Sequence, residues 1–119
     1  MKRIMIPMAV AVAAAIVTGA RAEVSPKDEA LAEIAACDSV LARPDLSAAE
    51  RDSVLEEKAY QYALATMYAM RADEYKEALA YIDSGLPIAT DLDVRGPLLT
   101  FRAKAYTFLG DDGLNYARY

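Results

Sequence analysis

Carboxylates are the first place to look for chemistry in this sequence, because it holds no histidine at all. Without imidazole there is no Ser/His/Asp or Cys/His nucleophile arrangement and no imidazole metal site. Asp91, Asp93 and Gly96 have the spacing of the first, third and sixth positions of a calcium loop, yet Arg95 takes a ligand position. Arg102 stands where the bidentate Glu belongs. Two cations within the ligand set oppose a divalent ion, so the expected role of Asp91 or Asp93 is to cap a helical turn. No metal and no cofactor are expected. Asp111 and Asp112 sit at what reads as a helix start, where neighbouring carboxylates stabilise the dipole rather than act as acid and base. Glu56, Glu57, Asp73, Glu74 and Glu77 read as solvated faces, and no glycine-rich phosphate loop occurs. The expectation is a non-enzymatic protein. A pair of desolvated carboxylates in a deep cleft is the observation that would reopen catalysis.

Cys37 is the one cysteine, which leaves no partner for an intrachain disulfide. It falls on the apolar stripe Leu31, Ile34, Cys37, Leu41 and is expected to pack as a small apolar group. An intermolecular disulfide is the alternative. The eight tyrosines are the other chemically distinctive set. Tyr68, Tyr75 and Tyr106 are at positions suited to a core, whereas Tyr62, Tyr116 and Tyr119 are harder to bury with them. Tyrosine gives a large contact area with a polar tip, which suits an interface.

The elements that must position these residues are helices. Ser25, Pro26 and Asp28 form a helix start, and the spacing predicts a first helix over residues 26–42, stopped by Pro44. Ser47 and Glu50 have the capping-box spacing, and neither Pro nor Gly follows before Gly85. A second helix is therefore expected over 48–71, its leading turns with Val54 and Leu55 packing on the first. A third is expected over 73–84, ending where Gly85 supplies a left-handed position and Pro87 forbids continuation. Residues 86–96 read as a connection, apolar enough to lie across the helices and to hold at most a short helical turn. Pro97 is expected to open a fourth helix that runs to Leu109, and residues 111–119 read as the start of a short fifth.

In the second and third helices, Tyr60, Ala63, Leu64 and Met67 and then Tyr75, Ala78, Leu79 and Ile82 repeat at helical spacing. Ala65 and Ala78 are small enough to let two antiparallel helices approach closely. The pattern returns: a shift of 38 residues places Ala103 on Ala65, Tyr106 on Tyr68, Phe108 on Met70 and Asp111 on Asp73. A shift of 39 places Leu114 on Tyr75 and Ala117 on Ala78. On the triplet Leu64, Ala65, Tyr68 and the pair Tyr75, Ala78, the chain over residues 58–119 resembles the tetratricopeptide repeat family. It departs from the family in its period, which is usually about 34 residues, in Arg102 at the place of Leu64, and in the displacement of the closing proline to Pro87 or Pro97. The resemblance implies an all-α right-handed stack of antiparallel hairpins, with a groove lined by Tyr62, Thr66, Thr100, Lys104 and Thr107. Leu114, Tyr116 and Tyr119 would form an unfinished C-terminal edge. The implied partner is a protein or peptide bound at the groove or at that edge, with self-association through the edge as one form. The basic and amide residues with which some family members hold a terminal carboxylate are absent here, apart from Lys104.

Length and charge set the rest. The chain has 119 residues, enough for one domain. Lys2 and Arg3, the apolar run over residues 4–17 and the Ala20, Arg21, Ala22 site make residues 1–22 an expected signal peptide, cleaved before Glu23. That run is shorter than a membrane span. Cleavage takes Lys2, Arg3 and Arg21 from the 13 basic residues and none of the 18 acidic ones, leaving 10 basic residues and a net charge of −8. Such a protein lacks the basic surface that phosphates require, and it is repelled by anionic lipid. A periplasmic or secreted location is expected for a scaffold over residues 23–119, with no nucleic-acid or membrane partner. The alternative is the N-terminal input or structural segment of a larger envelope sensor or assembly protein.

Overall fold

A computed structural model describes residues 24–110, and these residues are all-helical, with no strand among them. The expected signal segment, Asp111, Asp112 and the short fifth helix lie outside the described residues. Four helices follow in order: α1 (Pro26–Leu41), α2 (Ala48–Arg71), α3 (Tyr75–Gly85) and α4 (Leu92–Phe108). Each of the first three packs against the next, and α2 also packs against α4. The long α2 is therefore covered on both sides.

Local chemistry explains the boundaries. The Ser25 hydroxyl accepts from the Asp28 amide, and Pro26 follows in the first turn, where its missing N–H is harmless. At α2 the capping box closes in both directions: the Ser47 hydroxyl accepts from the Glu50 amide at 3.1 Å, and the Glu50 carboxylate accepts from the Ser47 amide at 2.9 Å. The helix ends in a Schellman motif. The Glu74 amide donates to Ala69 O at 2.8 Å and the Asp73 amide to Met70 O at 3.1 Å. Asp73 takes the left-handed conformation, φ 61°, which this motif usually gives to glycine. That is why α3 begins at Tyr75 and not at Asp73.

Two further expectations are corrected. Gly85 does not occupy a left-handed position: it closes α3 as a residue of the helix. Its role is steric, since a Cβ there would lie 3.0 Å from Tyr62 Cβ and 3.3 Å from Leu98 Cδ1. At Gly85 the backbone of α3 lies close against Tyr62 of α2 and Leu98 of α4. The turn also continues past Pro87, with the Ala89 amide donating to Gly85 O at 3.0 Å.

The fourth helix starts five residues before the proline expected to open it. Asp91 is its N-cap, accepting from the Asp93 amide at 2.9 Å, and Pro97 lies inside the helix. Pro97 leaves the Asp93 carbonyl without its intrahelical donor. Gly96 just before it eases the strain, because part of the clash that proline imposes on the preceding residue falls on a Cβ that glycine lacks. The early start is also fixed from outside the helix. Glu56 of α2 accepts from the Thr90 amide, the Thr90 hydroxyl and the Asp91 amide at 3.2, 2.6 and 3.2 Å. Arg95 donates to the carbonyls of Leu86 and Ala89 at 2.8 and 3.1 Å.

Among the described residues there are two apolar clusters. The larger joins Ala59, Ile82, Ala89, Val94 and Leu98, with Tyr60, Leu79, Ile88 and Phe101 packed around it. The smaller joins Cys37, Val40 and Val54, between α1 and the leading turns of α2, with Leu41 and Leu46 beside it. Ala65 and Ala78 are fully buried, as a close helix pair demands. Residues 86–89 lie across the helices, with Ala89 buried.

Candidate functional site

Helices α2 and α4 carry the residues expected to meet a partner, and the two helices are neighbours. On α4, Thr100, Lys104 and Thr107 are exposed and share one face at spacings of four and three. The Thr107 hydroxyl turns back to donate to Ala103 O at 2.9 Å. On α2, Tyr62 is half-buried against Gly85, and the Lys58 ammonium stands 6.0 Å from its ring centroid. Thr66 is not on this surface. It is fully buried, and its hydroxyl donates to Tyr62 O at 2.7 Å. A short polar side chain that satisfies its own helix in this way packs like a small apolar residue. Leu114, Tyr116 and Tyr119 lie outside the described residues.

Sequence reasoning missed the apolar part of the α4 surface. Leu92 and Phe108 are 79% and 59% exposed, and Leu99 is exposed on the same face as Leu92, seven residues on. Phe108 also stacks on Tyr75, with ring centroids 5.0 Å apart and planes 16° from parallel. That contact joins the end of α4 to the start of α3. The Tyr75 hydroxyl in turn donates to Asp73 at 2.7 Å, which raises its pKa.

It also missed the character of several carboxylates. Glu57, expected in solvent, is only 6% exposed, and Gln61 donates to it at 2.8 Å. Facing it from α1 is half-buried Glu33, whose Oε1 is enclosed without a hydrogen-bond donor. Burial, and then the nearby Glu57 charge, push the Glu33 carboxyl above the usual range. The same surroundings push the Cys37 thiol up to about 12, burial first and the charges of Glu57 and Glu33 next. Cys37 is 1% exposed, so an intermolecular disulfide requires α1 to move first. Glu74 and Glu77 are not simply solvated either: Lys27 of α1 donates to both at 2.8 Å. That bond holds Glu77 below its ordinary range.

Glu56 and the Asp91 cap account for the supposed calcium-loop spacing, because Asp91 receives the Asp93 amide while Arg95 fills the loop above it. Among the described residues no group of His, Cys, Asp and Glu could hold a metal ion, and no helix is long and apolar enough to cross a membrane. Comparison with family profiles, with curated proteins and with solved structures gives no match.

Proposed function

We propose that the chain is an exported, non-enzymatic scaffold that binds a protein or peptide through the outer face of α4 and the adjoining Tyr62 side of α2. The observation that carries this reading is the apolar surface left on α4: Leu92 and Leu99 are exposed on one face, with Thr100 and Thr107 beside them and Lys104 further round the helix. An exposed cluster with a polar rim is the usual make-up of a recognition surface. The arrangement suits the tetratricopeptide resemblance, in which the first helices of successive hairpins line a groove, here α2 and α4. Binding would bury tyrosine and aliphatic side chains, with no bond made or broken. The Glu33 and Glu57 pair supports this reading better than catalysis, because it lies in the α1–α2 seam, closed over Cys37.

The test is co-purification from the envelope fraction of the source cells, comparing the native chain with a Leu99→Glu, Lys104→Glu variant of unchanged helical circular dichroism. Loss of a native companion in the variant supports the reading. Equal retention of every companion by both chains would sink it. Light scattering across a concentration series, with reductant present, distinguishes a second copy of this chain from a different partner.

A further inference from the structure

Helix α4 carries a second seam besides the one that holds it to α2 and α3. Val94, Leu98 and Ala105 face inward and are buried, while Leu92, Gly96, Leu99, Ala103 and Tyr106 recur at alternating spacings of four and three on the opposite side. The first four are exposed and Tyr106 is half-buried. We propose that this seam seats a second copy of the chain, whose own α4 lies along it antiparallel, with each leucine beside a glycine or alanine of the partner. The inference rests on the reading of the α4 face as a binding surface and names its occupant.

Size alternation makes the seam complementary to itself, because large and small side chains take turns along it: Leu92, Gly96, Leu99, Ala103. A twofold axis between residues 97 and 98 sets Leu92 opposite the partner's Ala103 and Leu99 opposite the partner's Gly96. Small residues at these levels let two helices approach to about 8 Å. The space above Gly96 is open for this, since a Cβ built there meets no atom within 4 Å.

The charges beside the seam select the direction. Asp93 and Lys104 are both exposed and lie eleven residues apart, about three full turns, so they share one side of the helix. In the register given above, Asp93 falls opposite the partner's Lys104, and across the seam Asp91 falls opposite the partner's Arg102. Each pair occurs twice by symmetry. The remaining cation on that side, Arg95, is held by its bonds to Leu86 O and Ala89 O. A parallel pair would set aspartate against aspartate and lysine against lysine, and such like-charge contacts disfavour a pairing. The antiparallel pair also opposes the two helix dipoles.

A single pair of helices meeting over four layers covers less than the roughly 1,200–2,000 Å² of a stable interface, so association is expected to be weak and reversible. Light scattering of the native chain, with reductant present, should show the mass rising from monomer toward dimer between about 5 and 500 µM. Leu99→Glu is expected to hold the chain monomeric throughout. Asp93→Lys and Lys104→Asp, each alone, set like charges together in two pairs and are expected to weaken the dimer at least about fivefold. The chain carrying both changes regains opposite charges at the native net charge, and its association should return to within about threefold of native. All four chains are compared at equal helical circular dichroism.

A native chain that stays monomeric at about 500 µM overturns the proposal. Single charge variants that associate as well as the native chain overturn it too, as a parallel pair or a dimer seated elsewhere would give. So does a double variant no stronger than the single ones. A monomeric native chain that nevertheless loses a companion on the Leu99→Glu, Lys104→Glu change overturns this occupant alone and leaves the α4 face as a surface for a different protein.

Discussion

A methyl group added at Gly85 lies 3.0 Å from Tyr62 Cβ, tighter than most packed carbon contacts, so the tyrosine must give by a few tenths of an ångström. Gly85→Val is therefore expected to lower stability by roughly 1–3 kcal/mol through overpacking, read as a fall in the urea midpoint. Gly85→Ala loses less, since a gain of about 1 kcal/mol in helix propensity offsets part of the clash. The requirement for a small residue here was not legible in the sequence, where Gly85 next to Pro87 reads as an ordinary helix stop. Ala65 and Ala78 were legible, because helical spacing puts them on the stripe where two helices must meet. Glu57 was legible in principle and misread. It stands three residues after Val54 and four before Gln61, and Ala65 follows four residues later, so all four share one stripe of α2. Charge alone made that stripe look solvated, yet a second helix covers it.

Among the elements, α4 shows how far a connection can decide a boundary. From the sequence alone, Pro97 is the natural first residue, and the three bonds from Glu56 to Thr90 and Asp91 cannot be seen because they join residues far apart in the chain. Those bonds and the Asp91 cap start the helix early and force Pro97 inside it. An interior proline costs a helix about 3 kcal/mol, and proline returns up to about 1 kcal/mol by restricting the unfolded chain. Pro97→Ala is thus expected to stabilise the protein by about 1–2 kcal/mol, a rise of several degrees in Tm. A fall would mean that Gly96 already absorbs the whole strain. The second helix, by contrast, was legible to the residue, because Ser47 and Glu50 announce its start and the run to Arg71 holds no Pro or Gly.

For the whole molecule, two opposed titrations shape the dependence of stability on pH. Glu77, held low by its bond to Lys27, contributes stability that is present above its ordinary 4.5 and lost as the pH falls through its folded value. Glu33 contributes in the opposite sense, present below 4.5 and lost as the pH rises. Denaturation by urea at a series of pH values is expected to give maximal stability on the acid side of neutrality. Lys27→Met should remove much of the decline at the acid end and leave the decline toward neutral pH intact. The effect of Lys27 is under about 1 kcal/mol and shrinks in salt, because both carboxylates of its pairs are well exposed. If the acid decline survives Lys27→Met unchanged, the ion pair linking α1 to α3 contributes nothing to stability in solution.

The order in which the helices touch one another has a consequence for how the chain is made. Each helix packs on its successor, and α2, which meets α1, α3 and α4, belongs to both apolar clusters. Almost every contact is therefore within reach as soon as the next helix has emerged, and little waits for the far end of the chain. Contacts of this kind favour fast folding with little time spent as exposed apolar surface. The first hairpin, capped by Ser25 and by Ser47 with Glu50, can close while the rest is still being threaded out of a narrow exit. The stack then grows one helix at a time, with the ring of Phe108 settling on Tyr75 as α4 docks.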